Sequence, residues 1–184
     1  MVPAGPPARI SATGVSATGV SAAGVSAPEF RHAIGHLATG VTVVTSVGAV
    51  GQPVGTTASA VTSLSLNPPL VLVCLGRASL TLEAIRGHGA FAVNVLEAGQ
   101  RHLSANFARR GLAAAWDGVR YRPGPTGSPR LDGVLAALEC TVQDSFPGGD
   151  HEIVIGRVHD VATGDENAAA LLHWRGAYTS LDDS

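Results

Sequence analysis

Lysine is absent from this chain, and all 12 basic residues are arginine. Set against 14 acidic residues they leave a formal charge of −2, which gives no electrostatic footprint for a nucleic acid. Aromatic residues are scarce: four Phe, two Trp and two Tyr in 184 residues. A flat ligand would therefore rest mainly on backbone and aliphatic groups. Only two cysteines occur, Cys74 and Cys140, each in an apolar strand-like run. They read as buried free thiols of a reducing cytosol, and no paired-cysteine metal motif is present. No apolar run approaches the ~18 residues of a membrane span. The N-terminus has Arg9 as its sole cation and no continuous apolar stretch, which argues against a signal peptide. A cytoplasmic protein with no membrane or nucleic-acid partner is expected.

What is present fits one globular domain, with 45% hydrophobic and 14% charged residues. Residues 1–27 stand apart: Ile10-Ser-Ala-Thr-Gly, Val15-Ser-Ala-Thr-Gly, Val20-Ser-Ala-Ala-Gly and Val25-Ser-Ala-Pro repeat with a period of five. One β-branched residue in five buries too little surface to offset chain ordering, so this segment reads as a flexible tail ahead of a domain over 28–184. Phe30, Ile34 and Leu37 share one face of a helix from Pro28 to Ala38. Strands are expected from Val41, from Val54 to Leu66, and at Leu70–Leu75, with Pro68-Pro69 breaking the ladder between the last two. The Leu70–Leu75 run is apolar on both sides and reads as central and buried. A short helix starts at an N-cap Ser79 and ends at Gly87, and a strand covers 90–96. A second helix covers 100–110, with Leu103 and Phe107 on one face, and 111–130 reads as irregular. Val134–Gln143 and Glu152–Val161 are strands joined by the loop Asp144–His151, and Ala169–Leu181 closes the chain. Six strands with short helices predict a mainly β protein, a closed or nearly closed barrel with helices at its ends. Regular βαβ alternation is missing.

Several chemistries are excluded or weakened by the motifs. There is no G-x-G-x-x-G after a strand and no P-loop. No serine sits in a G-x-S-x-G elbow, and Cys74 lies where a thiolate is disfavoured. His32 and His36 have metal-binding spacing, but Gly35 stands where a zinc hydrolase would need Glu, so they read as a solvated or packing pair. Three stretches remain. Gly55-Thr56-Thr57-Ala58-Ser59 offers small and hydroxylated residues that permit close backbone approach. Ser79 and Thr81 begin a helix just after Arg77, an arrangement open either to a phosphate group or to ordinary capping. The loop Gly148-Gly149-Asp150-His151 places a histidine at a strand mouth, either as a proton or hydrogen-bond donor or as an exposed turn residue.

The ordered set of motifs resembles the flavin reductase-like, FMN-binding split-barrel family. It comprises Phe30-Arg31-x-x-x-Gly35-x-x-Ala38-Thr39-Gly40-Val41, Gly55 through Cys74, and Ser79-x-Thr81. It continues with Phe91-Ala-Val-Asn-Val-Leu96, Leu103-Ser-x-x-Phe107, Gly149-Asp150-His151-x-Ile153 and Gly176-Ala-Tyr178. The resemblance implies a Greek-key split β-barrel homodimer that reduces FMN or FAD with NADH or NADPH and passes reduced flavin to a partner flavin-dependent monooxygenase. It implies that Gly55, Thr56, Thr57, Ala58 and Ser59 lie along the isoalloxazine, with Cys74 and Leu75 beneath it. Ser79 and Thr81 would meet the phosphate, Asn106 and Phe107 would wall the cofactor, and His151 would face the nicotinamide. No metal is implied. Two departures are visible: Ala60 stands where many members have a second serine, and 109–113 is less acidic than usual. The rival class is a flavin- or haem-binding carrier or sensor without turnover.

Overall fold

The computed structural model describes residues 24–109 and 114–181. The pentapeptide repeats up to residue 23 lie outside the described residues, as do 110–113. The first element is α1 (Ala27–Ile34). Ser26 caps it: its hydroxyl accepts from the Glu29 amide, and the Glu29 carboxylate accepts from the Ser26 amide. The helix stops at Ile34 rather than Ala38, because Gly35 closes its last turn. Its apolar residues Phe30 and Ile34, and Leu37 beyond, are exposed.

After α1 come β1 (Thr39–Gly40), β2 (Thr42–Val47), β3 (Pro53–Ala58), β4 (Val61–Leu66) and β5 (Pro69–Gly76). They are followed by α2 (Leu80–His88), β6 (Ala90–Val95), α3 (Arg101–Phe107), β7 (Tyr121–Pro123), β8 (Pro129–Leu131), β9 (Ala136–Gly148), β10 (His151–Thr163), β11 (Leu171–Trp174) and β12 (Ala177–Ser180). Seven strands form the main antiparallel sheet in the order β3-β2-β6-β9-β10-β5-β4. β1 joins β11 and β12 in a small second sheet, and β7 pairs with β8.

The mainly β split-barrel architecture is the one expected, but the ladder does not close. β3 and β4 are its two edges, although they are consecutive in the chain. The predicted single strand Val54–Leu66 is therefore two strands, turned at Ser59-Ala60. Pro68-Pro69 does not separate unrelated strands: it forms the turn of the β4–β5 hairpin, with Pro69 paired opposite Leu66. The expected loop 144–151 is mostly strand, since β9 and β10 stay paired up to Gly148 and His151. Gly149, at φ 71°, occupies the left-handed region the tight turn requires. β5 alternates instead of being buried throughout. Val71, Val73 and Leu75 face the core, while Leu72 and Cys74 are half-buried on the other face.

The sheet curls around one core. Val44, Ala58, Val73, Phe91, Cys140 and Val154 come from six strands and meet Leu82 and Ile85 of α2. Gly156 admits the Phe91 ring, since a Cβ there would stand 2.4 Å from Phe91 Cζ. A second cluster, with Val41, Val43, Leu103, Phe107 and Leu171, seats α3 and the small sheet against the barrel. Burial pushes the Cys140 thiol up to about 12, so it is an inert packing group. α2 passes through Gly87 and ends at Gly89, whose φ of 75° and amide bond to the Ile85 carbonyl close it.

Polar side chains fasten the 121–131 excursion to the sheet, Asn94, Thr45 and Glu139 among them. Asn94 is fully buried; its amide donates to the Val43 carbonyl (3.1 Å) and Thr45 Oγ1 (3.1 Å). Its oxygen accepts from the Leu131 amide at 2.9 Å. Asn94→Ala leaves the buried Leu131 amide without its acceptor, and is expected to lower stability by about 2–3 kcal/mol in urea unfolding.

Candidate functional site

The open seam between the edge strands holds a groove in two lobes. One, of about 220 Å³, is lined by Thr56 through Ala60, Cys74 through Gly76, Ser79 and His151. The other, of about 390 Å³, is lined by Gly55, Thr56, Gly76, Ala78 through Thr81, Phe107, Ala108 and Arg109. Thr56, Gly76 and Ser79 border both lobes. The groove thus brings together every residue that the family resemblance assigned to the site except Asn106. That residue is half-buried on α3, with its carbonyl accepting from the Arg109 amide at 3.2 Å. A larger cavity of about 570 Å³ lies beyond Leu80 and touches none of those residues.

β3 contributes backbone more than side chains. It pairs only with β2, so its other edge has no strand partner. Gly55 packs tightly against α3: a Cβ there would stand 3.0 Å from Phe107 Cε1. The Thr57 hydroxyl donates to the Ser104 carbonyl at 2.7 Å and can only accept from a ligand. Ala58 faces the core, and its carbonyl accepts from Thr42 Oγ1 at 2.7 Å. Ser59 is exposed at the corner. Ser104 in turn shares a 2.8 Å hydrogen bond with the Tyr178 hydroxyl, which ties β12 to α3 and through it to β3.

The start of α2 is built for an anion. Ser79 caps it, accepting from the Leu82 amide at 3.4 Å. The amides of Leu80 and Thr81 have no intrahelical acceptor. Thr81 is 2% exposed and lines the groove, yet its hydroxyl has no hydrogen-bond partner among the described residues. The cation at this lobe is Arg109, at the end of α3, and not Arg77. Arg77 instead uses its amide to hold the Asp150 carbonyl at 3.1 Å. Sequence reasoning missed Arg109 as a groove residue because nothing in its spacing links it to Ser79. Only the packing of α3 on β3 brings it there.

His151 begins β10 opposite Gly76 and borders the smaller lobe. Its Nδ1 lies 2.8 Å from Asp150 Oδ1, so a neutral ring donates from Nδ1 and leaves Nε2 as the free nitrogen. The same contact holds the Asp150 carboxyl below its usual range. The next residue, Glu152, is buried and forms a two-point ion pair with Arg86 of α2. This pair locks the helix that carries Ser79 and Thr81 to the strand that carries His151. His32 and His36 pack edge to face, with ring centroids 5.1 Å apart, and His36 Nδ1 lies 2.9 Å from the His32 carbonyl. No cluster of three metal-ligating side chains occurs among the described residues. Cys74, expected to be buried, is half-buried and borders the groove.

Residues 34–182 match the flavin reductase like domain. The chain belongs to that family. It is 44% identical to an NADH-dependent FMN reductase of Streptomyces nodosus subsp. asukaensis, over 84% of this chain and 85% of that protein. It is 45% identical to a probable flavin reductase of Rhizobium meliloti (strain 1021) over 80% of its own length, spanning 47% of that longer relative. The solved structure of nitrilotriacetate monooxygenase component B from Mycobacterium thermoresistibile superposes with a TM-score of 0.79 at 42% identity, covering 83% of this chain and 85% of that one. Family membership therefore rests on nearly the whole described domain, including both lobes of the groove.

The Arg86 guanidinium holds the Glu152 carboxyl below its ordinary value. A depressed carboxylate contributes stability that is complete above its unfolded pKa of about 4.3 and is lost as pH falls through the lower folded value. Urea midpoints are therefore expected to drop as pH falls below about 4.3. The drop should be shallower in Glu152→Gln, with Asp150 and Glu29, also depressed, accounting for part of the remainder.

Proposed function

We propose that this protein is an NADH-dependent flavin reductase whose groove binds a flavin, with the reduced flavin passed to a partner monooxygenase. The observation that carries the reading is the groove-lining Thr81 hydroxyl, without a partner among the described residues, beside two free helix amides and Arg109, at one end of a groove whose floor is backbone. A ribityl phosphate fits the first set, because a dianion takes the free donors and the cation together. A flat, polar-edged ring fits the second, because the unpartnered edge of β3 supplies amide and carbonyl groups without bulky side chains. The names of the relatives support the chemistry: one is an NADH-dependent FMN reductase and another a monooxygenase component.

A bound flavin supplies the hydride acceptor and a nicotinamide the hydride. The chain's own task is to position and exclude. Phe107 and Leu75 form the apolar wall, and the Ser104 carbonyl fixes the Thr57 hydroxyl as an acceptor toward the ring edge. Asp150 orients the His151 imidazole so that Nε2 is available to the nicotinamide carboxamide or to a proton in transit. No helix among the described residues is long and apolar enough to cross a membrane. Free Cys74 and Cys140 suit the cytoplasm. Exposed Phe30, Ile34, Leu37, Leu66 and Trp174 leave an apolar surface suited to a second copy of this chain.

The test is turnover. Purified protein mixed with NADH or NADPH and excess FMN or FAD is expected to consume many equivalents of nicotinamide per subunit. One stoichiometric reduction, or none, would make the protein a binder instead. His151→Ala is expected to raise the KM for NADH or lower kcat, and unchanged kinetics for both substrates would remove His151 from the site. Sedimentation at micromolar concentration is expected to give twice the subunit mass, and a monomer there overturns the dimer.

A further inference from the structure

Gly176-Ala-Tyr178 closes the ordered set of motifs, yet Tyr178 borders neither lobe of the groove. On the flavin reading, we propose that Tyr178 is a positioning residue for the flavin ring. Through Ser104 of α3 it holds the Thr57 hydroxyl as a fixed hydrogen-bond acceptor in the smaller lobe. The geometry of Tyr178 is closely determined. Arg175 and Gly176, between β11 and β12, both have positive φ (50° and 79°), as in the two-residue turns that set hairpin register. That register places Tyr178 opposite His173, with the two rings edge-on at 5.8 Å. The Tyr178 ring also packs against the apolar cluster that contains Leu103 and Phe107. Strand and ring together aim the phenol at α3, where its hydroxyl shares a 2.8 Å hydrogen bond with Ser104 Oγ. Ser104 is fully buried, and this is the one hydrogen bond of its side chain among the described residues.

The tether reaches the groove through one carbonyl. The Ser104 oxygen accepts from the Ala108 amide at 3.0 Å and from Thr57 Oγ1 at 2.7 Å. The single hydrogen of the Thr57 hydroxyl is engaged there, so only its lone pairs remain for a ligand. A hydroxyl free to rotate serves a donor or an acceptor equally. A locked one serves donors alone, and the polar edge of an isoalloxazine carries both kinds, carbonyl oxygens and a ring N–H. The lock thus selects which part of the ring edge stands at Thr57. It lasts only while the Ser104 carbonyl stays in place. α3 has seven residues, too few to hold itself by its own hydrogen bonds. Leu103 and Phe107 seat it by apolar contact, which is non-directional. The Tyr178 hydroxyl adds a directional tether at the very residue whose carbonyl receives Thr57.

Tyr178→Phe keeps the ring and its packing and removes only the hydroxyl. Dissociation constants for FMN and riboflavin are measured on the full chain by flavin fluorescence. Riboflavin lacks the phosphate, so it separates the ring from the lobe that holds Thr81 and Arg109. Tyr178→Phe is expected to weaken FMN and riboflavin alike, by about fivefold, the scale of one neutral hydrogen bond. Ser104→Ala cuts the same link from its other end and gives the comparison independently. It should match Tyr178→Phe, with the double variant no weaker than either alone. In a Thr57→Val background, either change should alter riboflavin affinity by less than about twofold. An undiminished loss in that background overturns the proposal, because the phenol would then act on α3 generally and not through Thr57. A loss confined to FMN overturns it too, since the phosphate lobe would be the part disturbed. Tight wild-type binding that Tyr178→Phe and Ser104→Ala leave unchanged overturns the proposal and spares the flavin reading. A wild type that binds neither FMN nor riboflavin overturns both.

Discussion

The site depends on a ladder that fails to close. Each backbone amide and carbonyl in a buried sheet must find a partner, and a fully closed barrel leaves none over. Here the chain turns at Ser59-Ala60, so β3 and β4 become opposite edges of a seven-stranded sheet. The edge of β3 faces the end of β5 across a seam instead of bonding to it. Unpaired strand edges are a hazard on a bare surface, and a groove with a resident ligand is one way to occupy them. The scarcity of aromatic side chains is then consistent with the architecture: a flat ring held by a strand edge needs few of them.

Around that seam the chain supplies two fixed walls. α2 is tied to the core through Leu82 and Ile85 and to β10 through Arg86–Glu152. α3 is seated by Leu103 and Phe107, with Gly55 of β3 pressed against the Phe107 ring. Neither helix is long, and neither is stable by propensity alone. Their packing converts two short helices into rigid borders, and rigid borders are what a positioning site requires.

Much of this was legible in the residues. Ser79 reads as an N-cap from its type and place, and it is one; Leu103 and Phe107 read as a helix face and are buried. The hydroxylated run after Gly55 and the histidine after Gly149-Asp150 were both marked, and the fold brings them to one groove. The misreadings have physical causes. The corner at Ser59-Ala60 contains no glycine, proline or asparagine, so nothing local announces a break in Val54–Leu66. Gly87 reads as a helix stop by composition, but the tertiary contact of α2 with the core carries the helix two residues further to a better terminator, Gly89. The Asp144–His151 segment is polar and proline-bearing, which suggests a loop, yet β10 provides partners for its ladder almost to the turn. The reversal of roles between Arg77 and Arg109 is a matter of tertiary placement that no spacing rule encodes.

The hydrogen-bonded line from Tyr178 through Ser104 to Thr57 spans nearly the whole length of the domain in sequence while crossing only one helix in space. Its two ends leave the ribosome far apart in time. The strand that lines the groove is synthesised first, and the group that fixes the underside of its neighbouring helix follows about 120 residues later. A nascent chain therefore has its edge strand before it has the means to hold it still. The binding surface is completed only when the final hairpin docks, so the protein does not present a finished groove until synthesis of its domain is essentially over.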